Sequence, residues 1–320
     1  MKNYFFKNFI EDKYSIKEVY FSEKKTALNF LFLKGKGEMI FYSIFPGITV
    51  IYNKFYTYNC PEYKKKNKKL IEINYCFKGR FECKMNDNKY IYLKEKDLSI
   101  NLSNPKFKFS LFPMGYYEGI SICINPLEFN FSISNILKEF SINTKDIIDK
   151  FLCKEWFFLI NSNKKIVLLF QELYNLLINN KYNLIKIKTL EILIFINNLS
   201  LNKSLNYPKY YSKEQVEKVK HIRNHITKDL TRHITLQDLA KEHNISLTAL
   251  KACFKNIYGK SVYSYFKECR ILYAVSLIKT TNKTIAEIAS TVGYDNPSKF
   301  SAAFKQHMTI SPSNFRKKFL

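Results

Sequence analysis

The chain has 320 residues, of which 46% are hydrophobic and 16% aromatic, and 52 Lys and Arg against 27 Asp and Glu leave a net charge of +25. That length and apolar content suit two domains with real cores, and a charge of this size points to a polyanionic partner. It excludes a bilayer span: no apolar run reaches the roughly 18–20 residues required, and the nearest, Leu184 to Leu201, is broken by Lys186, Lys188 and Glu191.

Met1 to Ile10 has no long apolar core and no small-residue cleavage site, so it is not read as a signal peptide. Seven cysteines, at 60, 76, 83, 123, 153, 253 and 269, form no CxxC and no zinc-type Cys/His spacing. An odd, unpatterned set suits reduced thiols and a cytoplasmic location. Enzyme classes fall away. There is no P-loop, no nucleophile elbow, no HExxH and no histidine before His221, and neither a cofactor nor a metal is expected. Only five of the 52 basic residues are arginine. Part of the lysine excess, with abundant Asn, Ile, Phe and Tyr, is what AT-rich codons produce, so the position of charge matters more than its total. Residues 213–320 hold 19 Lys and Arg and 8 Asp and Glu, a balance of +11; the preceding 212 hold 33 and 19, a balance of +14 over twice the length.

In chain order, Tyr42–Tyr58 and Leu70–Tyr92 are rich in Ile, Phe, Tyr and Val, with turns at Phe45-Pro46-Gly47, Lys78-Gly79 and Met85-Asn86-Asp87-Asn88. Ser99–Phe112 alternates in part, and Ile120–Ile124 follows Gly115 and Gly119. Strands at this spacing predict a small antiparallel barrel or sandwich over about 20–125. Residues 134–160 read as irregular helix. Lys164–Asn179 and Lys186–Leu199 carry apolar stripes at helical spacing and form a hairpin that packs on the barrel, offers a dimer seam, or both. Trp156 reads as core. The cysteines at 76 and 83 read as buried apolar filling, with oxidant or metal sensing as the other reading. Arg80, the one arginine before 223, reads either as an exposed turn residue after Gly79 or as a clamp for an anionic effector.

Composition shifts after Tyr207-Pro208, and an internal repeat begins. Thr235–Ala240 matches Thr284–Ala289 at an offset of 49, and Leu250–Lys255 matches Phe300–Lys305 at an offset of 50. Each copy holds the parts of a helix-turn-helix. Ala240 and Ala289 let the second helix cross closely, and Asn244 and Gly293 tolerate the left-handed backbone of the turn. Ser246 and Asn296 cap the next helix, with Pro297 in its first turn. Phe254 and Phe304 anchor that helix to its unit. Tyr263–Lys279 reads as one helix that fixes the distance between the copies. Two such helices suit successive major grooves, about 34 Å apart on one face of DNA.

The segment Thr284–Arg316, TIAEIASTVGYDNPSKFSAAFKQHMTISPSNFR, resembles the signature of the AraC/XylS family of bacterial transcription regulators, and RILYAVSLIKTTNKT before it resembles that family's linker helix. The resemblance covers about 215–318. Thr309 departs from it where the family has Gly. ITLQDLAKEHNISLTALKACFKNIYGKSVYSYFKECR is most similar to the ferric-siderophore-sensing subgroup.

The resemblance implies an α+β two-domain chain. Residues 1–205 would hold a cupin-like effector barrel at about 20–125 and dimerising helices at about 134–200, and 213–320 two helix-turn-helix units. By position on the family pattern, base contacts fall to Thr248, Lys251, Ala252, Ser298, Lys299 and Ala302, and phosphate contacts to Lys255, Lys260, Lys305 and Arg316. Arg270 is read as pairing with an acidic side chain to brace the linker. The implied partners are double-stranded DNA, RNA polymerase and a small effector, an iron chelate or a lipophilic acid, in a homodimeric activator. A protein chaperoning nucleic acid by charge alone, or a regulator controlled by a protein partner, are the other readings.

Overall fold

The computed structural model describes residues 15–22, 24–61, 70–85, 87–102, 107–128, 139–140, 142, 144–151, 157–161, 163–199, 209–232 and 234–319. Trp156, Cys153, Asn86 and the Tyr207-Pro208 boundary lie outside them. The chain divides between Tyr210 and Tyr211 into two compact units.

Unit 1 is rich in strands: β1 Ser15–Ser22, β2 Lys25–Phe32, β3 Gly35–Phe45, β4 Ile48–Tyr56, β5 Ile71–Gly79, β6 Phe81–Met85, β7 Lys89–Leu93, β8 Leu98–Leu102, β9 Phe107–Leu111, β10 Tyr117–Ile124 and β11 Phe157–Ile160. Eight of them form an antiparallel sheet in the order β1-β2-β3-β4-β10-β5-β8-β11, and β7-β6-β9 form a second sheet. Among the described residues neither sheet closes on itself: two open sheets share a core, the sandwich alternative of the expectation, and the cupin-like barrel is not confirmed. The chain changes sheets at Gly79, whose φ of +82° ends β5. Its backbone passes so near Tyr116 that a Cβ would sit 2.2 Å from the Tyr116 carbonyl oxygen. The chain leaves the large sheet there and enters the small one as β6.

The large sheet is buried on both faces. Ile71, Ile73, Tyr75, Ile120, Ile122 and Ile124 pack under three helices, α1 Thr144–Phe151, α2 Lys164–Ile178 and α3 Tyr182–Asn198, through Ile147, Phe151, Leu169, Phe170, Leu173 and Ile192. Phe30, Phe41, Phe55, Cys76 and Tyr117 pack from the opposite face onto Met85, Ile91 and Leu93 of the small sheet. A strand buried on both faces carries apolar residues at successive positions, which is why alternation in the sequence is only partial. Phe157–Ile160 is a strand paired with β8, not the helix expected there. With β-branched and aromatic neighbours and a length of four, this run carries too little period to tell the two apart.

Unit 2 is helical: α4 Lys213–Lys228, α5 Leu236–Glu242, α6 Leu247–Tyr258, α7 Val262–Thr280, α8 Ile285–Thr291, α9 Pro297–Met308 and α10 Pro312–Phe319. Side-chain caps account for most starts. Ser212, Thr235, Ser246, Ser261, Thr284 and Asn296 each accept a bond from a backbone N–H in the first turn, and Ser212 and Thr284 close full capping boxes with Gln215 and Glu287.

Candidate nucleic-acid interface

The repeat is reproduced atom for atom at the two turns. Ile245 N–H donates to the Ala240 carbonyl at 3.0 Å, and Tyr294 N–H to that of Ala289 at 2.9 Å. Asn244 N–H and Gly293 N–H donate one residue inside, to Lys241 and Ser290. Asn244 and Gly293 have φ of +48° and +80°, the left-handed backbone that ends α5 and α8. Ala240 and Ala289 are buried. Leu250, Cys253, Phe254 and Ile257 bury one side of α6; Phe300, Ala303 and Phe304 bury the same side of α9.

The opposite sides face solvent. Thr248, Lys251 and Lys255 are exposed on α6, with Ala252 half-buried between them; Ser298, Lys299, Ala302 and Lys305 are exposed on α9. Both faces offer hydrogen-bond donors and methyl groups able to meet base edges. The other two basic candidates are already engaged. Lys260 Nζ lies 2.6 Å from both carboxylate oxygens of Glu268. Arg316 Nη2 donates to the Lys283 carbonyl at 2.6 Å. A phosphate contact by either would compete with these bonds, whereas Lys255 and Lys305 project into water.

Arg270 braces the linker α7 by a different route from the one expected. Its Nε donates to the Leu230 carbonyl at 2.7 Å, and its guanidinium lies 4.4 Å from the Phe266 ring and 5.6 Å from that of Tyr294. No carboxylate forms a salt bridge with it among the described residues; the charges of Asp295 and Asp229 act on it only at longer range. A carbonyl and two rings therefore replace the acid, which suits a residue only 9% exposed. In unit 1, Arg80 is not an exposed turn residue. It is 9% exposed, and its charge acts on Asp97 and on the Cys76 thiol, which burial pushes well up.

Thr309 and Gly259 occupy the same place, the left-handed C-cap after α9 and α6, with φ of +66° and +78°. A β-branched residue there costs about 1 kcal/mol more than glycine. Thr309→Gly is expected to raise the melting temperature of the full chain's unit 2 transition by a few degrees in calorimetry.

Residues 239–318 match the family model described as Helix-turn-helix domain. The lactose operon transcription activator of Staphylococcus xylosus is 34% identical over 116 residues, 35% of this chain and 42% of that protein. The transcriptional activator AarP of Providencia stuartii is 28% identical over 112 residues, 35% of this chain and 83% of that protein. Among solved structures, the C-terminal domain of AraT, a response regulator from Geobacillus stearothermophilus, is 33% identical, with 32% of this chain and 84% of that one covered and a TM-score of 0.31. The chain thus spans about two fifths of the length of the Staphylococcus activator. The relatives it matches are transcriptional activators and regulators, and its residues 239–318 form a helix-turn-helix domain. The expected ferric-siderophore subgroup finds no support among these relatives. A subgroup is distinguished mainly by its effector, and the matched residues 239–318 lie in unit 2 alone.

Proposed function

We propose that this chain is a sequence-specific transcriptional activator that lays α6 and α9 in successive major grooves of double-stranded DNA. The observation that carries it is the duplicated unit: two reader helices, each set by the same pair of turn hydrogen bonds and joined by one continuous helix. The 19 residues of α7 extend about 28 Å, which, with a turn at each end, suits the ~34 Å period of the duplex. A protein that chaperones nucleic acid by charge needs neither the repeat nor this spacing. Lys251→Ala is expected to cost about 1–3 kcal/mol at one base position and to relax preference there. Lys305→Ala should weaken all sequences alike and lower the slope of log affinity against log salt by about one. Quantitative footprinting of the full chain across sequence variants and salt concentrations checks both. Equal losses on every sequence for Lys251→Ala would remove it from the readers.

Unit 1 serves this reading as sensor and dimerisation module. Leu168, Leu184 and Ile187 stay exposed on the α2–α3 hairpin after its inner face is buried, which suits a second hairpin across a homodimer. Aromatic rings fill part of the space between the sheets, and a pocket opens at the start of α3. Between the sheets, Phe55 stacks on Phe112 at 5.1 Å and Phe112 on Tyr117 at 4.9 Å. At the start of α3 an open pocket of about 740 Å³ is lined by Lys24, Lys25, Lys181, Tyr42 and Tyr182. Lys25 Nζ donates to Asn180 Oδ1 at 2.6 Å, and burial lowers its pKa despite the nearby Glu38. Three ammonium groups beside two phenol rings suit a small acidic molecule, a lipophilic acid included. Such a ligand switches transcription only by binding one state of the protein better than the other. RNA polymerase completes the proposed set of partners.

A further inference from the structure

We propose that His225, Glu242 and His243 form a binding site for a divalent transition-metal ion of the zinc class, which clamps the end of α4 to the turn of the first helix-turn-helix. His225 lies in the last turn of α4, Glu242 ends α5, and His243 is the C-cap residue beside the left-handed Asn244. One ligand atom from each of the three lies within 4.8 Å of the others, the one such His/Cys/Asp/Glu group among the described residues. His225 Nδ1 is 3.4 Å from His243 Nε2 and 3.5 Å from Glu242 Oε1.

Those separations carry the argument. Metal–ligand bonds of about 2.0–2.1 Å at tetrahedral angles place neighbouring ligand atoms about 3.3–3.4 Å apart. Two of the three edges, 3.4 and 3.5 Å, are within about 0.1 Å of this length, and the third is no longer than 4.8 Å, so side-chain movements alone can admit an ion. Two imidazoles and a carboxylate are the ligand chemistry of zinc rather than of magnesium or calcium, which take oxygen. All three side chains reach solvent, which leaves the fourth position to water.

The metal-free state has a competing occupant. Arg232 Nη1 lies 3.0 Å from His225 Nε2. A guanidinium has only donors, so this contact makes Nε2 the acceptor and puts the ring proton on Nδ1, the atom the metal needs. Metal uptake moves the proton to Nε2 and releases Arg232, an exposed residue of the segment leading into α5. An occupied site ties α4 to α5 and stabilises the state that holds it by mass action.

The test uses the full chain titrated with Co²⁺ as a spectroscopic stand-in and with Zn²⁺ by calorimetry. Expected are one equivalent of Co²⁺ with the absorption of a tetrahedral ion, displacement of that ion by Zn²⁺, and affinity reduced at least about tenfold in Glu242→Gln and in His243→Gln. Glu242 is half-exposed, so its variant keeps the fold and isolates the ligand role. Arg232→Ala should bind more tightly than the parent chain, an effect a purely structural contact does not give. Absence of the tetrahedral absorption, affinity unchanged in Glu242→Gln, or no gain in Arg232→Ala would overturn the proposal.

Discussion

Gly293→Ala is expected to destabilise unit 2 by about 2–5 kcal/mol, and the cost comes from two sources. The backbone at 293 has φ of +80°, where a side chain costs about 1–2 kcal/mol. The added Cβ also meets a wall: the Leu230 carbonyl oxygen at 2.5 Å, Arg270 Nη2 at 2.7 Å and Thr231 Cα at 2.9 Å. Overpacking of this kind adds about 1–3 kcal/mol. None of these atoms can withdraw cheaply, because Arg270 Nε is itself bonded to the Leu230 carbonyl. Relief requires the loop before α5 to move away from the turn of the second helix-turn-helix, so the damage should spread to both reader helices. Denaturant unfolding of the full chain, with hydrogen exchange in α8 and α9, measures it. Asn244→Gly is the control: the same left-handed turn, occupied by the residue best able to tolerate it, should change stability by a few tenths of a kcal/mol. A Gly293→Ala protein as stable as its parent would mean that the contact between this turn and the loop before α5 is not held in solution.

The difference between the two turns shows what could be read from residues in a row. Both left-handed positions were legible, because only a few residue types accept that backbone and the repeat places them at equal offsets. The caps at Ser246 and Asn296 were legible for the same local reason. Contacts between distant segments were not. Nothing near Arg270 in sequence indicates that it binds a carbonyl 40 residues away, and a lone guanidinium suggests an acid first. His225 and His243 stand 18 residues apart, outside any ligand spacing, and only the packing of α4 on the first helix-turn-helix brings their nitrogens together. In unit 1 the strand-rich character was legible from Ile, Phe and Tyr. Sheet closure was not, since it depends on where the chain changes sheets, and Gly79 before Arg80 looks like any other turn.

Glu118→Ala is expected to destabilise unit 1 by about 3 kcal/mol. Glu118, on β10, is 5% exposed and accepts hydrogen bonds from the hydroxyls of Tyr52 and Tyr116, both at 2.5 Å, and of Tyr174 at 3.3 Å. These tie β4 and α2 to the middle of the large sheet. Hydrogen bonds to a charged acceptor contribute about 1.5–3 kcal/mol each, and they polarise one another. Removing the acceptor strands the buried Tyr52 hydroxyl, while the partly exposed Tyr116 regains water. Burial pushes the Glu118 carboxyl up. The bonds from Tyr116 and Tyr52, with the charges of Lys54 and Lys78, outweigh it and hold the group below the ordinary glutamate range. A carboxylate depressed in the folded state contributes stability that is fully present above its unfolded pKa, about 4.3. That contribution is lost as pH falls through the folded value, because there the unfolded chain binds the proton first. Glu118→Gln should therefore be clearly less stable than the parent at pH 7, and the gap should narrow below about pH 4. Urea unfolding of the parent chain and the variant across this pH range measures the gap. A gap that stays constant from pH 7 into the acid range would show that the charge on Glu118 contributes nothing and that shape alone sets the cost.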